Sequence, residues 1–442
     1  MTHLSDMRKR ERSQNIYSIF RLLNFLSKAA CLNLLQGKKT RGKKETYLRW
    51  ISSIHNTMNI LIILIIFAAS LTFLFIFNFY HSLEKIKHIQ LLQISFSANT
   101  SLISLIVSSR KLQKSIYKIQ QNLLEMDDLL KFSQKSYDQN FKTIKISLIV
   151  FISTYILLII IDISFCVSYQ VLICSLFNIT IDYAIFMHFV TGALYMIIIF
   201  LMKERFKLFN DYILSYLIAN TNSWKKTYEK LGVLPSKKVP SVALIDLPEF
   251  QSKTDGGNFN LNARDEAFPQ FQHTRKQKMH FQILRNVHEA LCNVSYCINN
   301  SFGLQILLFT ITLFTEITSN LYYCINYIAN IIEMDIEKII NIPLILTWPL
   351  AYIAFIFLIT WICNLTVNQT NKTIVILQRI LLIPEVHPVI AAKVQLFLQQ
   401  AINRKVRFTA WGFFTMNFKL LGSIVGSVIT LLVMLVQFHK IV

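Results

Sequence analysis

Long apolar blocks separated by polar segments dominate the pattern of the chain. A helix needs about 20 mostly apolar residues to cross the hydrocarbon core of a bilayer. Blocks of this kind occupy residues 58–79, 89–107, 146–169, 182–202, 302–328, 342–367 and 417–438. The second block also contains Ser, Asn and Gln, which favours packing inside a bundle over contact with lipid. The pattern therefore predicts an all-α membrane protein with seven transmembrane helices.

Composition and charge predict how these helices are oriented. The chain has a net charge of +21, yet only 16% of its residues are charged, against about 25% in an average soluble domain. Of its 45 Lys and Arg residues, 40 lie in the alternating segments 1–57, 108–145, 203–301 and 368–407. Because cytoplasmic segments are enriched in Lys and Arg, these four are predicted to be cytoplasmic. The N-terminus is then inside the cell and the C-terminus outside.

The cytoplasmic segments differ in character. Residues 220–278 contain four of the eight prolines and a Gly-Gly pair, which is typical of a flexible linker. The flanking segments are helix-compatible and continuous with the spans, so they predict a cytoplasmic helical base that holds subunits together. The alternative is that they form amphipathic helices on the membrane surface. The predicted organisation is a cytoplasmic N-terminal segment (1–57), helices one to four (58–219), the linker (220–278), helices five and six (279–367), an anchor region (368–415) and the last helix (416–442).

No enzyme motif is present in the sequence. The patterns G-x-G-x-x-G, G-x-x-x-x-G-K-[ST], H-E-x-x-H and G-x-S-x-G, which position phosphates, zinc or a nucleophile, are all absent. Seven Cys without C-x-x-C spacing indicate neither a zinc site nor a disulfide framework. Orientation and contact with anionic membrane lipid explain the basic residues, so no nucleic-acid partner is inferred. We expect no enzyme, no metal and no cofactor.

Polar and aromatic side chains share one depth, in the predicted outer halves of spans two to six. Ionisable groups inside a membrane are costly and are commonly functional. Such groups at one level, open to the outside, are typical of a small-molecule pocket. The alternative is interfacial anchoring with interhelical hydrogen bonds. The candidate ligand-binding residues are Gln93, Asp162, His188, Glu316, Tyr322, Tyr323, Thr347, Trp348 and Tyr352.

The last span carries a polar stripe. Every third or fourth position falls on one helix face, and these positions hold Ser423, Ser427, Thr430, Met434 and Gln437. Several copies of the helix around an axis would form a pore for cations without a charged ring, with Phe438 beside Gln437 near its outer end. The alternative is a helix-packing face, which the neighbouring Gly422-x-x-x-Gly426 would also suit.

The C-terminal region resembles the seventh-helix signature of insect gustatory receptors, Thr-Tyr-x5-Gln-Phe. It reads Gly412-Phe413-Phe414-Thr415-Met416-Asn417, Leu420-Leu421, Thr430-Leu431 and, five residues later, Gln437-Phe438. Leu431 stands where the signature has Tyr. Seven spans and a cytoplasmic N-terminus are features of the same family.

The resemblance implies a tetrameric, ligand-gated, nonselective cation channel of the plasma membrane, related in fold to insect odorant receptors. The last helix would line a central pore with Gln437 and Phe438 at its constriction, and each subunit would bind a tastant in its outer pocket. Assembly is expected as a homotetramer or as a heterotetramer with related receptors. The pattern of the sugar-responsive branches is absent around Thr347-Trp348-Pro349, so bitter or other plant compounds are favoured over sugars. Asp162 and Glu316 would suit a polyol or a cationic alkaloid.

Two other classes of membrane protein share part of this pattern. A secondary transporter of a small solute typically has paired broken helices in two repeats, and seven spans do not divide into equal repeats. A receptor coupled to G proteins has the opposite orientation, with its N-terminus outside.

Overall fold

The computed structural model describes residues 61, 99–100, 103–104, 113–130, 134–168, 172–219, 269–329, 336–382 and 388–441. The predicted first span apart from residue 61, most of the second span with Gln93, and residues 220–268 of the predicted linker lie outside these residues. The described elements are α1 (Gln113–Leu129), α2 (Gln134–Ser168), α3 (Leu172–Ala219), α4 (Pro269–Ala329), α5 (Ile336–Leu381), α6 (Pro388–Asn403), β1 (Thr409–Ala410), β2 (Phe414–Thr415) and α7 (Phe418–Ile441).

Five of the described helices are long and apolar enough to cross a membrane. Their candidate spans overlap the predicted spans three to seven and are Asp138–Ile161, Ile185–Leu214, Phe281–Ile325, Leu346–Leu381 and Phe418–Gln437. Helix α4 has 61 residues, which is about 90 Å at the rise of an α-helix and about three times the thickness of a bilayer core. It therefore extends well beyond any membrane it crosses. Its first residue, Pro269, lies inside the predicted linker and suits the first turn of a helix because Pro lacks an N–H group.

The chain divides into two compact units. The first contains Met1–Lys203, Asn293–Val367 and Val406–Val442, and the second contains Glu204–Cys292 and Asn368–Lys405. In the first unit, α3 is almost completely buried between Ile185 and Met202. One face of α2 and most of α7 are exposed. The exposed apolar residues include Ile149, Leu157, Val425 and Ile429. Apolar faces of this kind suit lipid or further subunits.

The second unit has its own core of aromatic rings. The His288 ring lies 5.5 Å from Phe397 and 6.1 Å from Phe209, measured between ring centroids. The buried Asn210 side chain donates a hydrogen bond to the backbone oxygen of Gln369 (2.8 Å) and accepts one from the Thr373 hydroxyl (2.6 Å). These contacts connect α3, α4, α5 and α6 within this unit.

A short β-hairpin precedes α7 in the first unit. Strands β1 and β2 pair antiparallel, with Ala410 opposite Phe414. The Phe413 N–H donates to the Ala410 carbonyl at 3.0 Å across the turn. The Asn299 side chain on α4 donates to the carbonyl of Arg407 and accepts from the Thr409 N–H. Among the described residues, this hairpin is the departure from the all-α prediction.

Candidate functional site

A buried polar cluster lies in the first unit, where three chain segments meet. His188 on α3 is 2% exposed, and its Nε2 atom lies 3.3 Å from the Thr100 hydroxyl. The Thr100 hydroxyl is 2.9 Å from the hydroxyl of Thr312 on α4. The Nδ1 atom of His188 has no hydrogen-bond partner among the described residues. An unpartnered buried polar atom is costly, so this nitrogen lacks the polar contact that its burial calls for.

Aromatic rings surround this polar cluster. The Phe189 ring lies 4.5 Å from that of Phe355, 5.9 Å from that of Tyr352 and 6.2 Å from that of Phe309, measured between centroids. The cluster continues through Trp348, whose ring is 5.6 Å from that of Tyr352. Aromatic side chains supply large apolar contact area and specific ring geometry. The polar cluster is therefore enclosed by closely packed aromatic surface.

Two of these rings also contact Tyr155 on α2. Its centroid is 5.9 Å from that of Phe189 and 6.3 Å from that of Trp348. Tyr155 thus brings α2 to the same cluster as α3, α4 and α5. The helices meet closely at Gly192, where an added Cβ atom would lie 2.7 Å from Cε1 of Phe355.

Glu316 lies one turn beyond Thr312 along α4. Residues four positions apart share a helix face, so Glu316 follows Thr312 on the side that faces the cluster. It is buried, and the Asn320 side chain donates a hydrogen bond to its backbone oxygen at 2.8 Å. Glu316 therefore adds a carboxyl group at the edge of the polar cluster.

The structure brings together part of the predicted ligand-binding set. His188, Trp348 and Tyr352 belong to the aromatic cluster, and Thr347 is a half-buried neighbour of Trp348. Tyr322 is buried and Tyr323 is half-buried further along α4. Asp162 belongs to α2, but its side chain lies outside the described residues, as does Gln93.

Several residues of the cluster were not predicted from sequence. Thr100 lies in the span that is rich in small polar residues, so that run was a usable signal. Thr312 carried less information because a Thr in a helix commonly bonds to its own backbone, as Thr312 does to Leu308 at 3.0 Å. The sequence held no signal for Phe189, Phe309 and Phe355. A Phe in an apolar span looks the same in sequence whether its side chain faces lipid or a site.

A second aromatic group lies further along α3 and reaches the hairpin. The Tyr195 ring is 5.7 Å from that of Phe302 on α4 and 6.5 Å from that of Phe408, measured between centroids. Phe408 directly precedes β1. Gly303 lies against the hairpin turn, where an added Cβ atom would approach the Trp411 nitrogen to 3.0 Å. Continuous packing therefore runs from the cluster to the segment that leads into α7.

The polar stripe of α7 faces away from the described part of its own chain. The residues of the helix that are buried or half-buried include Leu421, Ile424, Val428, Leu431 and Leu435, which share one face. Ser427, Thr430, Met434 and Gln437 lie on roughly the opposite face and are exposed, while the Phe438 side chain lies outside the described residues. An added Cβ atom at Gly422 or Gly426 would meet nothing within 4 Å. Within the part of the chain that the structure describes, the stripe is therefore not a packing face.

These features define a helical membrane protein with a buried polar and aromatic cluster and an exposed, striped last helix. The family model of the 7tm chemosensory receptors matches residues 16–441, and the chain belongs to that family. Its relatives are receptors rather than enzymes, and the resemblance to insect gustatory receptors is confirmed.

Two Drosophila melanogaster proteins are similar in sequence. The gustatory and pheromone receptor 32a is 30% identical over 35% of this chain and 32% of its own length. The gustatory receptor for sugar taste 43a is 22% identical over 54% of this chain and 53% of its own length. The chain thus spans about a third and about half of the length of these relatives.

The fold is similar to that of solved insect olfactory receptors. The structure of OR5 from Machilis hrabei matches with a TM-score of 0.62 at 10% identity, covering 96% of this chain and 99% of that one. The same receptor in complex with eugenol matches with a TM-score of 0.60 at 11% identity over the same shares. At this identity the likeness establishes the fold.

Proposed function

We propose that the protein is a gustatory receptor of the plasma membrane that acts as a tastant-gated, nonselective cation channel. A small molecule binds the aromatic cluster of each subunit, and four copies of α7 line a central pore. The N-terminus is cytoplasmic and the C-terminus extracellular. The subunits form a homotetramer or a heterotetramer with related receptors.

The observation that carries the channel proposal is the position of the stripe on α7. An apolar helix that packed only against its own chain and lipid would have no use for a row of hydroxyl and amide groups on its free face. Around a symmetry axis, Ser427 and Thr430 offer hydroxyl dipoles, while Met434 narrows the lumen and Gln437 lies with Phe438 at the outer end. Such a lining conducts cations without a charged ring and closes by an apolar constriction.

The aromatic cluster supports binding of a small molecule in the outer half of the subunit. His188 holds one nitrogen toward Thr100 and leaves the other without a partner among the described residues. A ligand hydroxyl or carbonyl would satisfy that nitrogen, while its apolar body contacts Phe189 and Tyr352. A solved receptor of the same fold, OR5 from Machilis hrabei, binds eugenol, which supports a small molecule as the ligand.

The cluster favours a noncarbohydrate ligand. A sugar presents hydroxyl groups around its whole ring and needs many polar partners, because unpaired groups are costly to bury. Besides His188, Thr100, Thr312 and Glu316, the described cluster consists of aromatic side chains, and Phe189, Phe309 and Phe355 among them offer no polar atom. One relative is named for sugar taste and the other for pheromones, so the relatives do not select a ligand. We infer a bitter or other plant compound, with Glu316 available to a polar or cationic group.

Ligand binding is coupled to α7 through packed side chains of the first unit. A shift of α3 at His188 is transmitted past Gly192 to Tyr195, which contacts Phe302 and Phe408. The hairpin then displaces the first turn of α7. The support for this coupling is the continuous set of contacts. Coupling energies from double-mutant cycles would test it.

Expression of the chain alone in a heterologous cell tests the proposal. A panel of plant compounds is expected to evoke calcium entry, and Gln437→Ala and Phe438→Ala are expected to alter permeation or gating. Surface labelling controls for trafficking. Normal responses from both variants at normal surface levels would show that α7 does not line the pore. Saturable uptake of a solute without current would instead indicate a transporter.

A further inference from the structure

The hairpin before α7 displays two aromatic side chains that the described part of the chain does not bury. Trp411 is 61% exposed and Phe413 is 72% exposed, and their ring centroids are 6.0 Å apart. Side chains alternate along a strand, so Phe408 and Ala410 are buried while Arg407 is exposed. The hairpin therefore has one face packed on its own unit and one free face with paired rings.

Trp411 has an unfavourable backbone conformation. Its φ is 50° and that of Gly412 is 83°, which is the combination of a type I′ turn, where Asn-Gly or Gly-Gly is preferred. A non-glycine residue held in this left-handed region is strained. A ring that stays mostly exposed gains little packing within its own unit to offset that strain. A Trp at this position is therefore better explained by a partner other than the described part of the chain.

The surroundings of the free face indicate the chemistry of that partner. Arg407 precedes the hairpin, Lys419 lies in the first turn of α7, and both are exposed. Residues 386–442 contain no Asp or Glu. Amphipathic rings such as Trp prefer the membrane–water boundary, and basic residues beside a transmembrane helix attract anionic lipid. Both features occur together where an apolar helix begins.

We propose that residues 407–419 form a lipid anchor, in which Trp411 and Phe413 enter the headgroup boundary of the inner leaflet and Arg407 and Lys419 bind anionic phospholipid. The inference rests on the proposed topology, in which α7 begins at the cytoplasmic face. Asn299 and Gly303 hold the hairpin on α4. Lipid contact thus fixes the depth at which α7 enters the membrane.

A second copy of the chain is the competing occupant of the free face. Around the proposed pore axis every copy would bring its hairpin to the same level, so contacts between hairpins would bring like charges together, since each copy carries Arg407 and Lys419 without a nearby carboxylate in sequence. Anionic headgroups neutralise the same charges. The charge pattern therefore favours lipid.

Quenching of tryptophan fluorescence tests the position of the rings. The full-length protein is reconstituted in phosphatidylcholine vesicles that contain lipids brominated either near the headgroup or deep in the acyl chain. In the wild type, the shallow bromine label is expected to quench the fluorescence of Trp411 at least twofold more strongly than the deep label. Trp411→Phe is expected to remove this part of the fluorescence. Trp348→Phe is the matched control, since that ring is buried and its loss should leave lipid quenching unchanged. Phe413→Trp adds a reporter at the second ring and is expected to show the same preference for the shallow label.

The charges are tested separately with spin-labelled phosphatidylserine and phosphatidylcholine. We expect enrichment of phosphatidylserine around the wild type and a decrease of about fivefold for each of Arg407→Gln and Lys419→Gln, the value that ~1 kcal/mol per basic residue implies. Lys393→Gln is the control, because Lys393 is an exposed base outside the proposed anchor.

The outcomes separate this proposal from the channel proposal. Neither measurement requires a ligand or a current, so a protein that conducts nothing can still show the anchor. Absence of shallow quenching both from Trp411 and from the reporter added by Phe413→Trp overturns it. Disulfide-linked copies of Trp411→Cys without lipid quenching would overturn it in favour of a subunit contact.

Discussion

The Nε2 atom of His188 lies 3.3 Å from the hydroxyl of Thr100, although 88 positions separate the two residues in the sequence. The contact joins α3 to the predicted second span. It also orients the imidazole, because a hydrogen bond at one ring nitrogen determines how the other is presented. The second nitrogen is thus aimed by the fold before any ligand arrives.

The first prediction concerns this pair. Thr100→Val removes the hydroxyl that orients His188, and His188→Phe removes the ligand's hydrogen-bond partner. Each is expected to raise the half-maximal concentration of an activating compound by roughly five- to 150-fold, as about 1–3 kcal/mol for a buried polar group implies. Thr143→Val is the matched control, since its exposed hydroxyl bonds only locally, to the carbonyl of Gln139. Unchanged concentration–response curves for both site variants would place the ligand elsewhere.

A second prediction concerns the close approach of α3 and α5. Gly192→Ala would place a methyl group 2.7 Å from the Phe355 ring, so either the ring or one of the two helices must move. The expected loss of stability is about 1–3 kcal/mol, as for overpacking elsewhere. The apparent melting temperature in detergent should fall for Gly192→Ala and stay within error for Gly422→Ala, where the added Cβ atom meets nothing within 4 Å. Equal melting temperatures would mean that this packing is not as tight as the structure shows.

A third prediction ranks two polar networks of the second unit. Asn210→Leu leaves the Thr373 hydroxyl and the Gln369 carbonyl without their buried partner, at a cost of about 1–3 kcal/mol. Glu289→Gln weakens the 2.7 Å ion pair with Arg404. That pair is partly exposed, so its loss should cost less than about 1 kcal/mol. The melting temperature should therefore fall more for Asn210→Leu, and the reverse order would contradict the assignment of the core.

A fourth prediction concerns the lining of the pore. Cysteines at Thr430 and Met434 should react with a hydrophilic thiol reagent in the open state and lose cation current. Cysteines at Val425 and Ile429 are the controls, because these exposed residues lie on the other side of the helix, away from the stripe. Current block at the control positions with no block at the stripe would reverse the orientation of α7.

The sequence alone predicted the helical class more completely than it predicted the candidate site. Long apolar blocks revealed spans three to seven because membrane burial requires about 20 consecutive apolar residues. His188 was selected because an ionisable group in a span is conspicuous, and the structure places it in the buried polar cluster. Phe189 and Phe355 were not selected, since their role depends on which helix faces which, and that is decided by packing across distant segments.

The hairpin shows the same limit at a turn. Trp411-Gly412 is not a recognised hairpin signal, unlike Asn-Gly, and the adjoining strands have only two residues each. The turn is imposed by contacts with Asn299 and Gly303 on another helix. Local propensity therefore did not reveal it.

The central claim is that a bound small molecule opens a cation pore lined by α7. Recording from the purified full-length protein in a planar bilayer tests it most directly. The account predicts unit cation currents that appear with an activating compound. His188→Phe should raise the concentration of compound that is needed to evoke them. Gln437→Ala should change their conductance. Ligand binding without any unit current, or unit currents whose conductance is the same in Gln437→Ala, would contradict it.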